Sequence, residues 1–213
     1  MWSMNFSANL FLNVTSDPTP AEQTPKTGAA EHAATINLPH DLPVFLVGMM
    51  GAGKTTIGRG LARTLGREFI DLDHELEARC GLRVPVIFEI EGEAGFRRRE
   101  AAALEECTRR RNIILATGGG AIISAENRRL LQERGVVIYL RASVDELFSR
   151  TSRDRNRPLL ATADPYGTLK TLLAVREPLY SEIADLIVDT GATPENHLVK
   201  SLLSILHAYE KAT

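Results

Sequence analysis

Eight residues, Gly48-Met49-Met50-Gly51-Ala52-Gly53-Lys54-Thr55, constrain this 213-residue chain more than any other feature. They fit the pattern GxxxxGK[ST], and their surroundings are the ones that pattern requires. Before them lies a short apolar run, 43–47, whose lack of alternation predicts a strand covered on both faces, as in parallel sheets. After them Ile57, Leu61, Ala62 and Leu65 recur at helical spacing until Gly66 stops the helix. Strand, glycine loop and helix open a βαβ fold. In such a loop the glycines let backbone N–H groups converge on phosphate oxygens, and the helix N-terminus adds positive potential. Lys54 then neutralises β/γ charge, and Thr55 offers its hydroxyl to Mg²⁺. Gly51, Ala52, Gly53, Lys54, Thr55 and Thr56 are therefore expected to hold nucleotide. Kinases, GTPases, ATPase motors and non-catalytic switches all use such a loop.

Further strands are predicted at 68–71, 113–116, 136–140 and 186–188, each separated from the next by helical or loop segments. The result is an α/β fold of three layers, α/β/α, around a five-stranded parallel sheet. Thr193-Pro194-Glu195 supplies a cap, a first-turn proline and an early acid for a final helix, whose apolar stripe is Leu198, Leu202, Ile205 and Leu206. Residues 15–40 carry Pro18, Pro20 and Pro25 and no period, so 1–40 reads as a flexible tail and 41–213 as the folded domain.

Three further clusters carry chemistry. Asp71 and Asp73 follow the second predicted strand, where alternate residues of an extended segment point the same way. Asp71 can hold a water of the Mg²⁺ shell and Asp73 can orient an attacking hydroxyl; equally, Asp73 can cap the next helix. In Gly92-Glu93-Ala94-Gly95-Phe96-Arg97-Arg98-Arg99-Glu100 a helix turns about 100° per residue, so the three arginines cannot share a face. Arg97 shares its face with Glu100, Ala101 and Leu104, which leaves it oriented to grip a carboxylate, or else part of a basic outer face. Thr117-Gly118-Gly119-Gly120 ends the strand 113–116 on the side where such sheets present ligands, and glycine lets a ligand approach backbone. The polar stretch 152–160 reads as a lid in which Arg157, stiffened by Pro158, closes on ATP, or as an exposed loop. Val175-Arg176-Glu177-Pro178-Leu179-Tyr180 reads as a helix end, with Arg176 either a second carboxylate grip or a partner of the helix dipole.

Taken together, GMMGAGKTT, FIDLD, IFEIEGEAGFRRRE, LATGGGAI, RNRPLL and VREPLY resemble the shikimate kinase family, in its order and spacing, from Pro43 to the final helix. The resemblance implies that Asp73, Arg97, Gly118, Gly119, Gly120 and Arg176 bind shikimate. The two arginines would hold its carboxylate and Asp73 its reacting 3-hydroxyl. It further implies that Arg157 reaches ATP from a lid at 151–166, that Arg150 lies beside adenine, and that Thr55, with Asp71 through water, serves Mg²⁺. A substrate-binding segment at 72–106 belongs to the same expectation. The chain departs from the family at Gly191-Ala192, where some members place arginine near adenine, and at Val84, where a small capping hydroxyl is common.

The net charge of -2 gives no broad basic field for nucleic acid or anionic lipid, so the expected partners are small molecules and the expected state a monomer. Cys80 and Cys107 form no metal-ligand spacing. No apolar run approaches the length of a membrane span, and residues 1–14 lack the basic start of a secretory signal; the expected compartment is the cytoplasm. Competing readings are a related small-molecule kinase acting on gluconate, and a catalytically silent nucleotide-binding module.

Overall fold

Val44–Val47 is buried on both faces and forms the second strand, β2, of a sheet in which every pairing is parallel. The computed structural model describes residues 10–12, 41–152, 158–160, 162–191 and 193–210. In chain order these give β1 (Leu10–Leu12), β2, α1 (Lys54–Leu65), β3 (Glu68–Asp71), α2 (Leu72–Cys80), α3 (Val84–Cys107) and β4 (Ile113–Ala116). There follow α4 (Ala125–Arg134), β5 (Val136–Arg141), α5 (Val144–Thr151), α6 (Pro165–Ile183), β6 (Leu186–Asp189) and α7 (Glu195–Glu210). The sheet order is β1-β6-β5-β2-β4-β3, so the glycine loop leaves a central strand and the chain reverses direction across the sheet there.

The five expected strands are present, and Leu10–Leu12 adds a sixth, paired with Leu186–Val188 at the sheet edge. That strand falls inside the segment expected to be a tail. The rest of 1–40 lies outside the described residues.

Among the described residues two apolar clusters hold the molecule. The larger gathers the sheet with α1, α4, α6 and α7. The smaller, Leu76, Ile87 and Phe96, sits between α2 and α3, with the Phe88 and Phe96 ring centroids 4.5 Å apart. α3 is two helical pieces rather than one, because Gly92 adopts φ 67°, ψ −178°. The α2–α3 segment thus carries its own small core beside the sheet.

Pro178 does not end its helix, contrary to the expectation for 175–180: α6 runs on to Ile183. Leu169, Leu173, Arg176, Tyr180 and Ile183 are all buried along one face of it, and that packing outweighs the backbone bond a proline forfeits. Arg176 is therefore mid-helix and cannot pair with a helix terminus.

Asp185 ties α6 to the sheet: its Oδ2 accepts from Val137 N at 2.8 Å and its own N–H donates to Val137 O at 2.9 Å. Burial pushes this carboxyl above its usual value, against the Val137 N–H that favours the charged form. A group raised on folding contributes stability that is complete below its unfolded value and lost as pH rises through the folded one. In Asp185→Asn an acceptor for Val137 remains but the titration is gone. The melting temperature of the variant relative to wild type is expected to climb as pH rises from about 4, the unfolded carboxyl's value. A difference independent of pH would contradict this account.

Candidate active site

The glycine loop is built to leave donors open. Gly51 and Gly53 have φ 82° and 91°, a region closed to most side chains, and α1 begins at Gly53 with no side-chain cap. The first-turn N–H groups of α1 therefore face the cavity with positive potential. Lys54 Nζ donates to Gly48 O at 2.8 Å and Met49 O at 2.9 Å, which curls its ammonium over the loop. Ala52 is fully buried and its N–H donates to Met49 O, so it shapes the loop from within. Thr55 and Thr56 line a cavity of about 500 Å³ together with Gly51, Gly53, Lys54 and Arg150.

Asp71 and Asp73 both line that cavity, but not as alternate residues of a strand. β3 stops at Asp71, whose Oδ1 accepts from Asp73 N at 3.2 Å and so caps α2; Leu72 and Asp73 are already helical. Asp71, not Asp73, is the capping residue, and its other oxygen accepts from Thr55 Oγ1 at 2.8 Å. A Thr hydroxyl and a carboxylate held in contact are hard oxygen donors of the kind Mg²⁺ takes alongside phosphates and water. The residues fit that ion. Among the described residues no group of three or more His, Cys, Asp or Glu forms a separate metal cage.

A second, smaller cavity of about 100 Å³ opens beside the first and shares Met50, Asp73, Val84 and Gly119 with it. Its walls bring together Arg97 from α3, Arg176 from α6, Asp73 from α2 and the three glycines that follow β4. Arg97 Nη1 donates to Glu100 Oε2 at 2.7 Å and its Nη2 to Glu93 Oε1 at 3.1 Å, while its guanidinium lies 5.2 Å from the Phe96 ring centre. Glu100 is 1% exposed and its Oε1 has no hydrogen-bond partner among the described residues. Burial pushes the Glu100 carboxyl up; the Arg97 charge and hydrogen bond oppose the rise and the Asp73 charge adds to it. Arg98 is exposed, and Arg99 is half-exposed and bound to Glu91 on another face.

The triple glycine is explained by what crowds it. A Cβ on Gly118 would strike the Glu100 carboxylate, and one on Gly120 would strike the Arg97 guanidinium. Gly119 lies against the glycine loop itself, where a Cβ would come within 3.3 Å of Met50 N. Backbone here occupies the space that side chains would otherwise take from Asp73 and Arg97.

Comparison with known proteins bears on this geometry directly. The family model for shikimate kinase matches residues 50–207. The chain belongs to the shikimate kinase family. A shikimate kinase of Bordetella pertussis is 72% identical over 211 residues, covering 98% of this chain and 100% of that one. A solved shikimate kinase from Acinetobacter baumannii, in complex with shikimate, matches with a TM-score of 0.77 at 48% identity, over 78% of this chain and 93% of its own. A gluconokinase from Sinorhizobium meliloti 1021, 20% identical with a TM-score of 0.56 over 80% of this chain and 94% of its own, shares the fold alone.

As a member of the shikimate kinase family the chain is an ATP-dependent kinase, and two positions expected to depart from the family pattern have structural counterparts. Val84 lacks a capping hydroxyl, and Glu77 Oε1 accepts from Val84 N at 2.9 Å instead, capping α3 from the preceding helix. At Gly191 a Cβ would strike the Glu146 carboxylate, which is fixed by the Ser143–Glu146 capping box of α5. Glycine at 191 therefore accommodates an acid on α5. Arg150 donates to Thr190 O at 2.6 Å, Gly191 O at 3.0 Å and Gly51 O at 3.2 Å, joining the glycine loop to the end of β6.

A cavity of about 260 Å³ beside it is lined by Thr190, Thr193 and Glu195, none of which the sequence marks as a site residue. Nor does it mark Phe88, Phe96 and Leu159, the apolar walls of the smaller cavity. Arg157 lies outside the described residues. No described helix is long and apolar enough to cross a membrane.

Proposed function

We propose that this member of the shikimate kinase family transfers the γ-phosphoryl group of ATP to the 3-hydroxyl of shikimate, giving shikimate 3-phosphate and ADP on the way to aromatic amino acids. One observation carries the reading: the cavity holding two guanidinium groups and the cavity holding the glycine loop meet at Asp73 and Gly119. An acceptor with a carboxylate at one end and a hydroxyl at the other spans that junction.

Each residue then has a task. Loop N–H groups and Lys54 bind the triphosphate, Thr56 and Arg150 border the nucleotide, and Arg97 and Arg176 take the carboxylate through planar, charge-assisted hydrogen bonds. Asp73 receives the 3-hydroxyl and turns its lone pair toward phosphorus. A carboxylate is a weak base toward an alcohol, so alignment and electrostatics are its contribution rather than outright deprotonation. Gly118, Gly119 and Gly120 let the sugar-like ring lie on backbone, while Phe88, Phe96 and Val84 exclude water from it. Mg²⁺ held by Thr55, and by Asp71 through water, would neutralise charge on the β- and γ-phosphates. Arg157, assigned on family resemblance alone, would serve the same charge. Residues 72–106 form the substrate-binding unit, which the separate Leu76–Ile87–Phe96 core supports. Free cysteines and small-molecule substrates fit a monomeric cytoplasmic enzyme.

Purified protein with Mg²⁺ and ATP is expected to release ADP on addition of shikimate, with kcat/KM for gluconate lower by at least about a hundredfold. Comparable values for the two acceptors would favour a broader sugar-acid kinase. Nucleotide binding without turnover on either would favour the silent module and overturn the proposal.

A further inference from the structure

The Gly119 carbonyl, in the middle of the triple glycine, takes two donors from one face of α6. Tyr180 Oη reaches it at 2.5 Å and Arg176 Nη1 at 3.4 Å, one turn apart on the same helix. Tyr180 is fully buried and stacked on Tyr139, with ring centroids 4.9 Å apart. Its ring cannot swing away, and its hydroxyl is aimed by packing rather than by solvent. Burial pushes the Tyr180 phenol well above its usual value, against the opposing charge of Arg176, so it stays protonated and donating. Arg176 has only 3% of its surface exposed, yet its guanidinium lines the substrate cavity.

The Gly119 carbonyl is partly buried, and both of these donors come from α6, so losing one shifts its demand onto the other. Without the Tyr180 bond, the donor left on the carbonyl among the described residues would be the Arg176 guanidinium, now at 3.4 Å and free to close that distance. Movement of that group onto the carbonyl would withdraw it from the cavity. It would also let the glycine turn shift where it abuts Met50 of the phosphate loop. We propose that Tyr180 is a positioning residue for substrate binding: its hydroxyl satisfies the Gly119 carbonyl, which keeps Arg176 turned toward the cavity to grip the substrate carboxylate. This role rests on the reading of that cavity as the acceptor site.

The test is Tyr180→Phe in the full chain, with Tyr139→Phe as control. The control removes a buried hydroxyl that has no partner among the described residues and leaves the stack in place. Tyr180→Phe is expected to raise KM for shikimate about tenfold, with kcat within about twofold and KM for ATP unchanged. Tyr139→Phe leaves all three unchanged. Calorimetric titration with shikimate alone should give the same tenfold weakening, independent of turnover. An unchanged shikimate KM in Tyr180→Phe would overturn the role. So would a parallel rise in both substrates' KM, or equal effects from the two variants, since each marks general loosening. Wild-type protein inert toward shikimate would instead overturn the function on which the role depends.

Discussion

Asp73→Asn is expected to lower kcat with shikimate by about 10²- to 10³-fold while KM for shikimate stays within about threefold. The amide has the volume of the carboxylate and sits on the same first turn of α2, where Asp71 Oδ1 fixes the Asp73 backbone at 3.2 Å. Ground-state binding, carried by the arginines, is therefore preserved. What is lost is a full negative charge beside the attacking hydroxyl and an acceptor for its proton, both of which matter most as the new P–O bond forms. Steady-state ADP release over a range of shikimate concentrations measures the two constants separately. A variant with unchanged kcat would remove Asp73 from the reaction, and a large rise in KM alone would make it a binding residue.

Arg97→Lys should produce the opposite signature: KM for shikimate higher by about 30- to 100-fold, with kcat reduced only severalfold. Lysine keeps the positive charge that Glu100 requires, so the protein should fold. It cannot reproduce the planar fork that meets two carboxylate oxygens at once, nor the stacking on Phe96. Arg97→Ala is a poorer probe, because it strands the buried Glu100. Breaking a pair of this kind costs about 3 kcal/mol, the low end for buried pairs since Arg97 remains partly solvated. Kinetics on Arg97→Lys, with a melting curve to show the fold intact, check the expectation. A shikimate KM like that of wild type would place the carboxylate elsewhere.

The parts of the fold that were legible in the sequence are those where local pattern and tertiary demand agree. Ile113–Ala116 and Val44–Val47 are unbroken apolar runs because both faces of a parallel sheet are covered, and nothing else short and apolar competes with that reading. Leu10–Leu12 is equally apolar, but three residues have no period, and its pairing depends on an edge that β6 offers from 176 residues away. Pro178 reads locally as a stop, and only the buried face from Leu169 to Ile183 overrules it.

The site divides in the same way. The phosphate loop is a contiguous motif and was readable as such. Asp73 is selected on the assumption of an extended segment, whereas Asp71 turns the chain into helix before it arrives. The glycines at 118–120 signalled close approach, but not that Glu100 and Arg97 would be what approaches. Tyr180 ends the VREPLY segment, but nothing local assigns it a task, since its partner is a backbone carbonyl 61 residues earlier in the chain. Side chains that act on backbone across the fold leave no spacing rule to find.

The claim on which these expectations depend is that two guanidinium groups from α3 and α6 hold one organic anion while Asp73 faces its hydroxyl. A crystal structure of the protein with shikimate and ADP tests it most directly. The account predicts both carboxylate oxygens within hydrogen-bonding distance of Arg97 and Arg176, and the 3-hydroxyl against Asp73 on the side of the glycine loop. Shikimate bound with its carboxylate on Lys54, or with its 3-hydroxyl turned away from Asp73, would contradict it.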